Sequence, residues 1–316
     1  MSDVVRWGIL GNAMIARDFM IPAMEASDLC QVTAVASRTV VPASIAPRAK
    51  HYDSYEALLH DPEVDAVYVP VPNALHEKWS IEAMRCGKHV LCEKPMACTA
   101  AAGERMLRAA EDNAVLLMEA FMYRYGEPFR KMMQIVSDGT IGPIAAMYGC
   151  HGYTLDWASP AREKAELGGG SIYDVGCYVV DCMNAVMAQQ GVKPAACSAV
   201  ARMKGGVDWN AAAWLKYENG VVGSLQCWFD AASEQRVLLA GQKGTLMIPN
   251  LFEGTGGPMY LTVDGKTEVI QTGSANPYQL EAEAFSRAVL GQSSERMPLS
   301  HTIQNLQTLE GLYNNL

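Results

Sequence analysis

The spacing of apolar and polar positions splits the chain into two rhythms. In the first, brief continuous apolar runs at 4–10, 32–36, 66–69, 89–92 and 115–119 alternate with stretches of helical spacing at 43–50, 55–59, 73–86 and 100–112. Runs this short, bounded by Gly, Pro or Asn, pair inside a sheet but cannot make helices, and intervening helices make that sheet parallel. From residue 144 the runs lengthen and often alternate, at 145–153, 196–202, 211–217, 221–229, 236–239 and 244–248. Alternation with the hairpin signal Asn219-Gly220 predicts a largely antiparallel sheet. Two helices are expected at 277–290 and 301–313, covering this second sheet, with Glu281 and Glu283 turned to solvent. The chain thus divides into domains 1–123 and 124–316.

The stretch Lys88-His89-Val90-Leu91-Cys92-Glu93-Lys94-Pro95 places a charged pair at the carboxyl end of a buried strand. In open α/β sheets the ligand crevice lies outside the carboxyl ends of the strands, so Glu93 and Lys94 are delivered to it. Pro95 stiffens the exit. The first strand runs into Gly11-Asn12-Ala13-Met14-Ile15-Ala16, with the spacing of the dinucleotide fingerprint but alanine at its second and third glycine positions. These residues are expected to bring backbone to a pyrophosphate at a helix amino terminus. Ser37-Arg38 ends the second strand where a site for NAD wants an acid; a hydroxyl and a guanidinium instead suit the 2′-phosphate of NADP, with NAD still possible. Pro70, Pro72 and Asn73 form a rigid loop in which Asn73 is expected to cap a helix. His76, in the first turn of that helix, is expected to touch the nicotinamide ribose.

In the second half, Gly168-Gly169-Gly170 precedes a stretch that reads as helical from Ser171. Asp174 and Tyr178, at i and i+4, then share a face and form a candidate proton-transfer pair, while Asp181 lies further round and reads as structural. Tyr153, Trp157 and Arg162, in the polar and aromatic stretch before the glycines, are the candidate substrate contacts.

Composition narrows the choice of partner. With 25 Lys and Arg against 34 Asp and Glu, the net charge of -9 argues against nucleic acid and anionic membrane surfaces. No apolar run reaches the length of a membrane span and no signal peptide is read at the start, so a cytoplasmic location is expected. The nine cysteines lack paired metal-type spacing; they are expected to be reduced, and no metal is expected.

Taken together, Gly11-x-Ala13-x-x-Ala16, Pro72-Asn73-x-x-His76, Glu93-Lys94-Pro95, and the three glycines followed by Asp174-x-x-x-Tyr178 resemble the glucose-fructose oxidoreductase / inositol dehydrogenase family over nearly the full length. Tyr178, where many members carry His, is similar to the dimeric dihydrodiol / D-xylose dehydrogenase branch. The resemblance implies an α/β chain: an N-terminal Rossmann domain and a C-terminal α+β domain with an open, largely antiparallel sheet. It also implies hydride transfer between NAD(P) and a carbohydrate-like substrate, in a homodimer or higher homo-oligomer. Tyr178 is then the acid/base. Lys94 supplies the charge that makes a phenol with an ordinary pKa of about 10 useful near neutrality, and Asp174 holds Lys94 or the substrate hydroxyls. Two alternatives stay open: an enzyme that keeps and internally recycles its NADP while converting sugars, and a non-catalytic NADP sensor.

Overall fold

The computed structural model describes residues 3–37 and 46–316. Arg38 and the start of the helix expected at 43–50 lie outside the described residues; residues 46–49 form a turn, and a short strand follows. Two compact units emerge, interleaved along the sequence. The first comprises residues 1–97, 101–122 and 278–302, and the second 98–100, 123–277 and 303–316.

The first unit is built on six parallel strands: β1 (Val5–Leu10), β2 (Cys30–Ala36), β3 (Lys50–Tyr52), β4 (Ala66–Val69), β5 (His89–Glu93) and β6 (Leu117–Ala120). Their order is β3-β2-β1-β4-β5-β6, so the chain reverses its direction of growth between β1 and β4. Such a switch point opens a crevice at the strands' carboxyl ends. Residues 66–69 and 90–92 are buried throughout, as strands covered on both faces require. The connecting helices are α1 (Ile21–Glu25), α2 (Tyr55–Leu59), α3 (His76–Arg85) and α4 (Ala100–Asp112).

The second unit carries helix α5 (Glu127–Ser137), strand β7 (Ile144–Gly152), and the helices α6 (Pro160–Glu163) and α7 (Cys177–Gln189). Seven strands follow: β8 (Pro194–Lys204), β9 (Val207–Tyr217), β10 (Val222–Trp228), β11 (Glu234–Gly241), β12 (Gly244–Pro249), β13 (Gly257–Val263) and β14 (Lys266–Thr272). Together with β7 they form one sheet ordered β14-β13-β12-β11-β7-β10-β9-β8, antiparallel except where β10 runs parallel to β7. The last two strands were not legible in the sequence, because Lys266–Thr272 is polar and mostly exposed. Helix α7 is apolar nearly all round and buried from Cys177 to Met187.

Two expectations are corrected here. The tail helix α8 (Pro277–Val289) does not cover the second sheet. It packs on β1, where Trp7 Nε1 donates to Ser286 Oγ at 3.2 Å and the Trp7 and Phe285 rings lie 5.5 Å apart. Glu281 is fully buried rather than solvated, and Glu283 is largely covered and paired with Arg287. The second tail helix, α9 (Leu299–Tyr313), does serve the second unit, through Asn305, Thr308 and Tyr313. Among the described residues no helix is long and apolar enough to cross a membrane.

Candidate active site

In the first unit the chain leaves β1 through Gly11, whose φ of +111° is closed to most side chains and whose N–H donates to Ala36 O at 2.8 Å. A Cβ there would come within 3.1 Å of Tyr55 Oη. The turn releases Asn12, Ala13, Met14 and Ile15 partly exposed at the start of a helix that continues through Ala16–Met20. A strand, a left-handed glycine and a helix amino terminus at the switch point fit the pyrophosphate of a dinucleotide. Ser37 follows β2 and is buried.

At the end of β5, Glu93 and Lys94 are partly exposed, as the strand-end argument requires. Tyr68 Oη of β4 donates to Glu93 Oε1, and the Lys94 N–H donates to Glu93 Oε2 at 3.3 Å. The Lys94-Pro95 peptide is cis. Two buried side chains hold the turn that follows. Glu119 Oε1 accepts from Met96 N at 2.8 Å, and His76 lies with Nδ1 2.9 Å from Pro95 O and Nε2 2.8 Å from Val71 O.

His76 is the clearest correction among the predicted site residues. It is fully buried, and burial pushes its pKa down to about 4, so the ring is neutral at physiological pH. Neutral, it donates from one nitrogen only, to Pro95 O or to Val71 O, and either bond ties the Pro70–Pro95 region from inside. Nor does Asn73 cap α3. It opens a 3₁₀ turn, Asn73–Leu75, and the helix starts one turn later without a side-chain cap.

In the second unit the glycine tract and its helix are held by a buried carboxylate. Asp208 Oδ2 accepts from Ser171 Oγ at 2.8 Å and from Ile172 N at 2.7 Å, while Oδ1 accepts from Tyr313 Oη at 2.6 Å. Gly170 has a φ of +115°, and a Cβ on it would sit 2.0 Å from Asp208 Oδ1, so only glycine lets strand β9 approach the helix this closely. The helix opens with one wide π turn, Ile172–Gly176, which carries Asp174, and tightens into α7, which carries Tyr178.

Asp174 Oδ2 accepts from Tyr153 Oη at 2.6 Å and from Arg162 Nε at 2.9 Å. The Asp174 charge, working against burial, holds the Arg162 guanidinium above its ordinary pKa. Trp157, which is 42% exposed, stacks on Tyr153 with ring centroids 5.6 Å apart and planes within 7°. Three predicted substrate contacts and one predicted catalytic residue thus form a single cluster. The ring of Tyr178 is enclosed by His151 at 5.3 Å, Phe252 at 5.7 Å and Tyr123 at 5.8 Å. His151 and Phe252 were missed. His151 had only strand alternation to signal it, and Phe252 arrives from the 3₁₀ turn Leu251–Glu253, which carries no periodic signal. Chemically, a phenol, a carboxylate and a guanidinium in one unit, and an ammonium at a strand end in a dinucleotide-binding unit, fit a class: a nicotinamide-dependent oxidoreductase.

Comparison with known proteins bears this out. Residues 5–121 match the family described as "Oxidoreductase family, NAD-binding Rossmann fold", and residues 129–247 match the "GFO/IDH/MocA C-terminal domain". The chain is 32% identical over 317 residues to the D-xylose 1-dehydrogenase (NADP(+)) 2 of Haloferax volcanii, covering 97% of this chain and 96% of that one. It is 32% identical over 269 residues to the trans-1,2-dihydrobenzene-1,2-diol dehydrogenase of Mus musculus, covering 83% and 78%. Its fold is similar to that of a 3-ketoreductase from Actinomadura kijaniata in complex with NADP and TDP-benzene, with a TM-score of 0.89 at 26% identity over 99% of this chain and 98% of that one. The chain belongs to the glucose-fructose oxidoreductase / inositol dehydrogenase family. It is an NAD(P)-dependent dehydrogenase or reductase acting on CH–OH groups.

Proposed function

We propose that the protein interconverts a sugar, polyol or related hydroxy/keto carbohydrate using NADP(H). The observation that carries this reading is the cluster of Tyr153, Arg162 and Asp174, polar and aromatic together, on the unit that carries Tyr178. Sugar hydroxyls need such donors and acceptors, and an exposed Trp157 offers a flat face to a pyranose ring. The similarity to a D-xylose dehydrogenase and a dihydrodiol dehydrogenase supports a vicinal hydroxyl pattern in the substrate.

A bound nicotinamide supplies or accepts the hydride. The Tyr178 hydroxyl takes the proton from the substrate oxygen in oxidation and returns it in reduction. Lys94 stabilises the phenolate and the developing alkoxide. Asp174, already paired with Arg162 and Tyr153, orients substrate hydroxyls and leaves the proton to Tyr178. Gly11, Asn12, Ala13, Met14 and Ile15 hold the pyrophosphate, Pro70, Asn73, Glu93 and Lys94 border the nicotinamide half, and Ser37 and Arg38 read the 2′-phosphate. The test is a screen of aldoses, polyols and keto-sugars followed by NADPH absorbance. No turnover with any of them would end this reading.

Arg38→Ala is expected to weaken NADP(H) binding selectively and leave NAD(H) binding unchanged, since only the 2′-phosphate loses its partner. Fluorescence titration with both cofactors checks it; equal affinities before and after the change would remove the assignment.

A homodimer through the second sheet also forms part of the proposal, with one change from the sequence-based expectation. From sequence, the alternation along 221–229 puts Leu225, Cys227 and Phe229 on one face and makes them the expected contacts, but they are buried inside the unit. The opposite face exposes Val200, Trp214 and Val222, at 72%, 42% and 45%. An apolar sheet face of this kind is covered by an isologous partner in C2 dimers. Val222→Glu with Trp214→Glu is expected to yield monomers in light scattering at micromolar concentration, whereas a monomeric wild type would dismiss the dimer.

A further inference from the structure

Helix α8 lies across the first sheet with its start toward the dinucleotide end. Tyr278 packs on Phe19, just beyond the Gly11 turn, at 5.4 Å, and Phe285 and Ser286 pack on Trp7 of β1. Tyr278, Glu281 and Phe285 recur at helical spacing, so Glu281 is turned into the same packed face. It is 0% exposed, and neither carboxyl oxygen has a hydrogen-bond partner among the described residues. Among titratable groups, Glu93 from the end of β5 acts on it, and Tyr68 of β4, which gives its hydroxyl to Glu93, feels the charge of Glu281 and of Tyr278 on the same helix. Against the same helix β1 sets the neutral indole of Trp7, and β2 sets Cys30, whose Sγ lies 3.3 Å from Ser286 Oγ.

An ionised Glu281 would have lost water, found no donor in exchange, and faced the charge of Glu93. Burial first, and then Glu93, hold its carboxyl well above the usual range.

We propose that Glu281 is a redox-sensing proton site of the dinucleotide pocket: it stays protonated with the reduced cofactor bound and gives its proton to solvent when the oxidised cofactor binds. This rests on the dinucleotide reading of the first unit. In a doubly wound sheet the strands beyond the switch point serve the nicotinamide half, and Glu93 ends the middle one of these, β5. The oxidised ring carries a positive charge that the reduced ring lacks, and a nearby cation favours the carboxylate. The phosphates are common to both forms. Their effect, including the titration of the 2′-phosphate near pH of about 6, cancels in the ratio of the two affinities. By linkage, raising the pH then tightens binding of NADP⁺ relative to NADPH.

The experiment is calorimetric titration of the full chain with each redox form, at several pH values around neutrality and in buffers of different ionisation enthalpy. NADP⁺ is expected to release more protons than NADPH, by up to about one, and its relative affinity to rise by up to about tenfold per pH unit. Glu281→Gln, which keeps the shape of the neutral acid, is expected to bind both forms and abolish the difference. Equal proton counts for the two forms in the wild type would overturn the proposal, and so would a difference that survives in Glu281→Gln, which would assign the proton to another group of the site such as Glu93, Lys94 or Tyr178. Should Glu281→Gln not fold, Glu281→Leu, an apolar side chain of similar volume in the same packed face, is titrated in its place and must abolish the difference as well. Failure of the wild type to bind either form would instead refute the dinucleotide reading and this proposal with it.

Discussion

Tyr178→Phe is expected to bind NADP(H) normally and unfold at the wild-type midpoint while losing roughly two to four orders of magnitude in kcat, the usual worth of a positioned acid/base. The ring is what packs: His151, Phe252 and Tyr123 surround it, and Phe keeps every one of those contacts. Only the hydroxyl disappears. Lys94→Ala should be similarly damaging and should also move the rate profile to higher pH, because the phenol loses the cation that favours its ionised form. If Tyr178 served only to fill the core, turnover per folded molecule would stay near wild type in Tyr178→Phe. Steady-state kinetics on material checked by circular dichroism separates the two.

The second large effect is on stability. Asp181→Ala is expected to lose about 3–5 kcal/mol, the range for removing one partner of a buried ion pair. Asp181 is 0% exposed and accepts from Arg124 Nε at 2.7 Å, Arg124 Nη2 at 2.8 Å, Tyr123 Oη at 2.5 Å and Asn305 Nδ2 at 2.6 Å. Burial alone would lower the pKa of Arg124, but the charge of Asp181 overrides it and holds the guanidinium above its ordinary value. Without Asp181 the guanidinium stays charged with its carboxylate gone, and two further donors lose their acceptor. Urea unfolding of wild type and variant measures the loss. A change of less than about 1 kcal/mol, typical of a solvated surface pair, would show that water reaches the network.

The sequence was most legible where one local rule sufficed. Buried runs bounded by Gly and Pro mark the parallel strands, so the sequence alone puts Gly11, Glu93 and Lys94 at strand ends. The pairing of Tyr153, Arg162 and Asp174 was half visible: the residues were singled out, but their hydrogen bonds depend on a π turn that no periodicity announces. His76 misled because a histidine in a first helical turn at a strand end looks available to a ligand, while its burial depends on the Pro95 turn folding back over it.

By itself the sequence determined the alternation of strand and helix, the glycine turn at β1, the charged exit of β5 and the glycine-led helix of Tyr178, because each rests on backbone preferences spanning a few residues. Tertiary structure alone decided where α8 docks, which face of the second sheet stays open, and which carboxylates are buried. Glu281 and Glu283 read as a solvated helix face, since charges at helical spacing belong in water unless something far along the chain covers them. The face of α8 that carries Glu281 closes against β1, where Ser286 meets Trp7, 279 residues away in the chain. Burial is a property of what packs together, and no local pattern contains it.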